Sequence, residues 1–242
     1  MFIASFPAGP WQTNCYVLAT APGAECVVVD PGVDAIRGVQ DLVAEHRLKP
    51  TAVLLTHGHL DHMFSVTPLC RSHDAACFIA PQDRPLLTDP LAAMSPETRE
   101  LLGQLAPGHR FEEPDDVRAL VDGGSVTVAG LDFGILHAPG HTAGSVMFRT
   151  AYAPEPGPSG SAGATGVAPR DEIDSIVFSG DVLFAGSIGR TDLPGGSAAD
   201  MLNSLRTRVL PLPDSVVVLP GHGPQTTMAR ERAGNPYLQE LV

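Results

Sequence analysis

The chain has 242 residues, 43% hydrophobic and 17% charged, with a formal net charge of −12. That length can bury a substantial core, and an acidic balance with no basic block excludes polyanionic partners, so neither nucleic acid nor a membrane surface is expected. The 25 glycines and 23 prolines exclude a helix bundle or coiled coil, and 5% aromatics leave the core mainly to Val, Leu and Ala.

In chain order, Met1–Pro10 has neither a basic start nor a long apolar run, so no signal peptide is expected. No later stretch reaches the ~20 apolar residues of a membrane span, and a soluble, cytoplasmic protein is expected. Short apolar runs between turn signals predict buried strands at Tyr16–Ala19, Cys26–Val29, Ala52–Leu55, Cys77–Ala80, Ser125–Val128, Phe133–Leu136, Val146–Phe148, Ile176–Phe178 and Val216–Leu219. Helices are predicted between them. Asp34 can cap one that runs to His46, with Ile36, Val39, Leu42 and Val43 on one face. Others are predicted over Phe64–His73, Pro96–Leu105 and Ser197–Val209, the last with Ser197 as cap. This alternation predicts two packed sheets with helices outside. Ala153–Arg170, rich in Pro, Gly, Ala, Ser and Thr, reads as a mobile insertion in a hairpin, at the end away from His141 and Asp181. Cys15, Cys26, Cys70 and Cys77 form no Cys-x-x-Cys pair and read as buried, reduced thiols.

Five of the nine histidines fall in short motifs just past predicted strands. Thr56-His57-Gly58-His59-Leu60-Asp61-His62 sets three imidazoles and a carboxylate within six positions. Imidazole and carboxylate suit zinc and related divalent ions. His57 and His59 are two apart and project to one side of an extended backbone. The adjacent Asp61 and His62 must splay apart, which suits two neighbouring ions. His141 after Pro139-Gly140, Asp181 after Ser179-Gly180 and His222 after Pro220-Gly221 repeat one syntax: apolar strand, small residue, ligand. Strand ends gathered on one edge would focus all of them on one cleft. His46, His73, His109 and His137 lie outside these ligand positions.

With Asp30 in Val29-Asp30-Pro31-Gly32, this ordered set of motifs resembles the metallo-β-lactamase-fold hydrolase superfamily from about residue 12 to 240. The resemblance implies an α/β (α+β) fold, a four-layer αββα sandwich, in one domain spanning 1–242. It also implies two divalent ions, zinc first, with iron or manganese as the other candidates. His57, His59 and His141 would hold one ion, Asp61, His62 and His222 the other, and Asp181 would bridge them. Asp30 would support the loop without being a ligand. Two ions with a bridging hydroxide form a hydrolytic centre, in which Asp61 would also orient the nucleophile as a catalytic residue.

The stretch Gly180–Gly196, with its Gly189-Arg190-Thr191-Asp192, is similar to short bacterial glyoxalase II-like hydrolases. The implied substrate is a small S-lactoyl-thiol or related thioester. Arg190 falls where such enzymes present a basic residue to the thiol's peptide portion; the other reading of it is an arginine that holds the Gly-rich loop. Two departures bear on the thiol: about twenty residues follow His222, too few for the C-terminal helical domain of full-length glyoxalase II, and Pro224 stands where an aromatic is usual. The alternatives are a mononuclear iron persulfide dioxygenase of the same fold and a non-catalytic metal-binding scaffold. Trp11, Phe184 and Pro85–Leu105 are candidate walls of the substrate pocket.

Overall fold

The run Cys26-Val27-Val28-Val29, three of its residues β-branched, is buried throughout, the pattern of a strand covered on both faces. The computed structural model describes residues 1–96, 98–100, 110–152 and 173–241. There, β1 (Phe2–Ala8), β2 (Thr13–Ala19), β3 (Glu25–Val29), β4 (Lys49–Leu54), β5 (Ala76–Ile79) and β6 (Val117–Ala119) form one sheet in sequential order. β1–β2–β3 pair antiparallel and β3–β4–β5–β6 parallel.

The second sheet contains β7 (Ser125–Val128), β8 (Leu131–His137), β9 (Val146–Ala151), β10 (Ser175–Gly180), β13 (Val216–Pro220) and β14 (Thr226–Thr227) in the order β14-β13-β10-β9-β8-β7. A small ribbon of β11 (Leu183–Phe184) and β12 (Ser187–Ile188) stands beside it. Every predicted strand is present. β1 escaped prediction because Ser5 and Pro7 interrupt its apolar run, yet it pairs with β2 from Phe2↔Ala19 to Ala8↔Thr13.

Neighbouring side chains on a strand point to opposite faces, and this divides the core into layers. Leu18, Val27, Leu54 and Phe78 of the first sheet meet Phe133, Phe148, Phe178 and Leu219 of the second. Each such side chain contributes about 1.5–3 kcal/mol by burial. Their neighbours Val17, Val28, Val53 and Cys77 face outward under α1 (Ala35–His46) and α3 (Val66–His73). Val177, Val216 and Val218 face the other way, under α4 (Ala198–Ser204), a wider π-type turn over Leu205–Val209, and α5 (Met228–Gly234) with α6 (Pro236–Gln239). The expected αββα sandwich is therefore observed.

The helix ends differ in part from expectation. Asp34 stands at the N-cap of α1, but at φ 59° and without a side-chain cap bond; Asp tolerates this left-handed conformation. The helix expected over Phe64–His73 is present as α3, starting at Val66, and a separate short helix, α2 (Leu60–Met63), precedes it. Between them Ser65 turns aside, its N–H donating to Pro31 O and its Oγ to Gly32 O. Ser197 does cap α4, accepting from the Asp200 N–H. Of the helix expected over Pro96–Leu105, Pro96 and residues 98–100 are helical and the rest lies outside the described residues. The four cysteines are free and buried. Among the described residues, no helix is long and apolar enough to cross a membrane.

The strand ends explain where chemistry collects. β9 and β10 pair antiparallel, with Ala151 opposite Ser175 at one end. The insertion read at Ala153–Arg170, itself outside the described residues, joins that end. His141 precedes β9 and Asp181 follows β10, at the other end.

Candidate metal centre

β4 delivers Thr56 and His57 to the sheet edge, and Asp30, just past β3, clamps them there. Its Oδ1 accepts from the Thr56 N–H at 2.8 Å and its Oδ2 from Thr56 Oγ1 at 2.6 Å. The same Oδ2 lies 3.0 Å from His62 Nδ1. Asp30 is thus a buried support for the loop. α2 then begins at Leu60 and presents Asp61 and His62.

The motif histidines and carboxylates converge. His59 Nδ1 lies 3.1 Å from His57 Nε2 and 2.8 Å from His141 Nε2. A few ångströms away, His222 Nε2 lies 3.3 Å from His62 Nε2 and 3.2 Å from Asp61 Oδ2. Asp181 stands between the groups. Its Oδ1 is 3.4 Å from His62 Nε2, and its Oδ2 is 3.5 Å from both His141 Nε2 and His222 Nε2. Such an approach needs a bare backbone at Gly221, where a Cβ would fall 2.2 Å from Asp181 Oδ1.

These residues fit divalent ions on three counts. The ligand atoms of His57–His59–His141, of Asp61–His62–His222, and of His57–His62–Asp181 each lie within 4.8 Å of one another. Tetrahedral zinc with bonds of about 2.0–2.1 Å would space its ligands about 3.3 Å apart, close to what is seen. Second, three outward ring nitrogens face oxygen: His141 Nδ1 donates to Arg190 O at 2.8 Å, His222 Nδ1 to Trp11 O at 3.1 Å and His62 Nδ1 to Asp30. That fixes the tautomer and leaves the Nε2 lone pairs converging, as partners behind metal-bound histidines do. Third, Asp181 Oδ1 is buried with no hydrogen-bond partner, a costly state that a cation relieves.

Electrostatics divides the two groups. Burial and the neighbouring imidazoles push His57 well below its ordinary pKa, and burial with His141 nearby lowers His59 to about 3. Burial would do the same to His62, but Asp61, Asp181 and Asp30 outweigh it and raise the pKa to about 10. Burial opposes charge on His222 too, and Asp61 and Asp181 overcome it, so its pKa is raised. Against its own burial, Asp61 is held below the usual carboxylate range by His62 and His222. On one side His57 and His59 resist protonation, and the other side demands positive charge.

The centre opens into a cleft of about 470 Å³, walled by Trp11, Met94, Thr98, Phe184, Leu193 and Arg190. Trp11, Phe184 and part of the segment expected as a wall are thus placed. Arg190 combines its two readings. Its guanidinium reaches the cleft but is held by Asp192 through bonds of 2.7 Å and 2.7 Å, while its carbonyl orients His141. His137 lies aside, its Nε2 donating to Ala143 O. His109 is outside the described residues.

Two contributors carried no motif. Thr13 Oγ1 donates to Asp61 Oδ2 at 2.9 Å from the tip of the β1–β2 hairpin. That tip is tied to the last ligand loop: Asn14 Nδ2 donates to Pro220 O and Gly223 O, and the Tyr16 hydroxyl to Pro220 O. Asp83 is buried behind the loops of His57–His59 and His141. It follows β5 as the other acids follow their strands, and that shared syntax was the available signal.

Comparison with known proteins agrees with this architecture. A family model described as the metallo-β-lactamase superfamily matches residues 8–154 and 153–222. The Mycobacterium tuberculosis protein Rv2581c is 43% identical, covering 100% of this chain and 99% of its own length. The hydroxyacylglutathione hydrolase GloC of Haemophilus influenzae is 30% identical, covering 98% of each. Among solved structures, the BLEG-1 B3 metallo-β-lactamase superposes with a TM-score of 0.76 at 33% identity over 98% of this chain and 99% of that one. TTHA1623, in a di-iron-bound form, gives 0.70 at 35% identity over 98% of this chain and 100% of its own. With its two facing sheets, its histidine-rich loop at a strand end and a family match over most of its length, the chain belongs to the metallo-β-lactamase superfamily.

Proposed function

We propose that the chain is a metal-dependent hydrolase of small thioesters, of the glyoxalase II type. The carrying observation is the pair of ligand triplets that face Asp181 beside an open cleft. Likeness to a hydroxyacylglutathione hydrolase over nearly the whole chain supports the thioester reading. His57, His59 and His141 would hold one divalent ion and Asp61, His62 and His222 the other, with Asp181 placed between the two groups. When bound there, such ions would supply an activated water near neutral pH and Lewis-acid polarisation of the carbonyl.

The residues supply the rest. Asp61, fixed by Thr13 and His222, orients the nucleophile toward the acyl carbon. Trp11, Phe184 and Leu193 give the cleft apolar walls that exclude bulk water around the acyl group. Arg190 offers its guanidinium edge to the thiol portion. A departing thiolate needs no proton donor, because its pKa is modest.

Metal analysis combined with a thioester panel tests this. The purified protein is expected to hold close to two divalent ions per chain and to hydrolyse S-D-lactoylglutathione or a lactoyl ester of another small thiol. One iron per chain with oxygen uptake on a persulfide would replace this reading with the dioxygenase. Hydrolysis of a β-lactam alone, the activity named for BLEG-1, would also overturn the thioester assignment. Removing residues 153–170 and closing the gap with a short turn is expected to leave kcat within about threefold, because the segment is joined where Ala151 of β9 faces Ser175 of β10, at the end opposite His141 and Asp181. A large fall in kcat would show that the insertion reaches the cleft.

A further inference from the structure

We infer that Asp83 is a positioning residue that sets the spacing of the His57–His59–His141 group; this rests on the two-ion reading above. Asp83 stands at the start of the short helical turn Arg84–Leu87, where an aspartate ordinarily accepts from its own first-turn N–H groups. It makes no such bond. Its carboxylate is buried and turned the other way. Oδ2 accepts from the Gly58 N–H at 2.9 Å and from Thr142 Oγ1 at 2.6 Å, and Oδ1 from the Gly144 N–H at 2.8 Å. Ser145 Oγ, 2.8 Å from Thr142 Oγ1, extends the network and accepts from the Thr142 N–H.

Gly58 lies between His57 and His59, and Thr142 follows His141. One carboxylate therefore fixes both loops that carry the first triplet. The loops close directly on its turn. A Cβ at Gly144 would fall 2.5 Å from Asp83 Cγ, and one at Gly58 would fall 2.8 Å from Leu86 Cβ. No hydrogen bond of Asp83 reaches Asp61, His62 or His222, so its effect is confined to one ion. Asn in its place presents an amide N–H₂ to one of the two backbone donors, leaves that donor unpaired and loosens the loop it belongs to.

The test is a zinc isotherm against a chelating competitor, on the full chain, with Asp83→Asn, Thr142→Val and Glu231→Gln beside the wild type. Glu231 is the control. It is equally buried and accepts from the Gly186 N–H, Thr226 Oγ1 and Asn235 Nδ2, away from the first triplet. Asp83→Asn is expected to weaken one of two zinc affinities by about 10- to 100-fold and to leave the other unchanged. Thr142→Val, which removes one donor, is expected to weaken the same affinity by about 3- to 10-fold. Glu231→Gln lowers the urea midpoint without moving either affinity. The inference is overturned if Asp83→Asn binds both ions as the wild type does, or weakens both alike in step with stability. If that variant does not fold, an unchanged Thr142→Val isotherm overturns it. A wild-type chain that binds no zinc overturns the two-ion reading itself, before any variant is compared.

Discussion

Replacing Asp181 with Asn is expected to lower the proposed thioester turnover by at least about a thousandfold and to leave the sheets folded. Asp181 has one oxygen toward His62 and the other toward His141 and His222, so it faces both ligand groups. Asn keeps the shape but removes the negative charge and turns an N–H₂ toward imidazole lone pairs. The charge stabilisation supplied by properly held ions amounts to several kcal/mol, and each 1.36 kcal/mol is tenfold in rate. The fold does not depend on this side chain, which follows β10 and has a buried, unpartnered oxygen. The metal-dependent rise in Tm, which follows from ligand binding to the native state alone, is lost. Turnover within tenfold of wild type, measured with metal content and Tm, would refute the role.

Metal affinity at the Asp61–His62–His222 group rises with pH, by about tenfold per unit from pH 6 to 8.5, because the ion must displace a proton. The direction follows from His62, whose pKa is lifted to about 10 by the carboxylates around it. Below that value the ring holds a proton where the ion must bind, and each unit of pH makes the free lone pair ten times more available. His222, also raised, adds a second proton at the acid end. His57 and His59 are displaced the other way, so an ion on those rings takes no proton from either. Two-site isotherms at several pH values, in buffers of different ionisation enthalpy, read the slopes and the protons released. Affinities that fall from pH 6 to 8.5, or two sites with equal slopes, would contradict this electrostatic division.

How much was legible in the sequence follows from how local each signal is. Buried strands such as Cys26–Val29 declare themselves by unbroken apolar runs, whereas β11, β12 and β14 are two residues long and exist through their partners. The residue type at Asp34 was right for a cap, but its backbone turns left-handed and its side chain caps nothing. His141, Asp181 and His222 announce themselves by following a strand and a small residue, and the other candidate ligands by clustering in one loop after β4. Thr13 carries no such mark, because its role lies in a bond to Asp61 across 48 residues. Asp83 binds loops 25 and 61 residues away in opposite chain directions, and no window of sequence shows that meeting.

The tie between the β1–β2 tip and the last ligand loop also has a meaning in time. Trp11 O meets His222 across 211 residues, and Tyr16 meets Pro220 across 204. At synthesis rates of about 5–20 residues per second, roughly ten to forty seconds separate the two ends of these bonds. The first sheet, complete in sequence by Ala119, is synthesised before the strand that anchors its hairpin tip. The His57–His59 half of the centre is likewise made long before His222. A chain released before Val216 lacks His222, and with it the third member of the Asp61–His62–His222 group, and leaves an open edge on β10, where β13 would pair. Unpaired edges of this kind invite association with other chains. Completion of the centre and closure of the sheet therefore coincide, and an abortive product is marked by the lack of both.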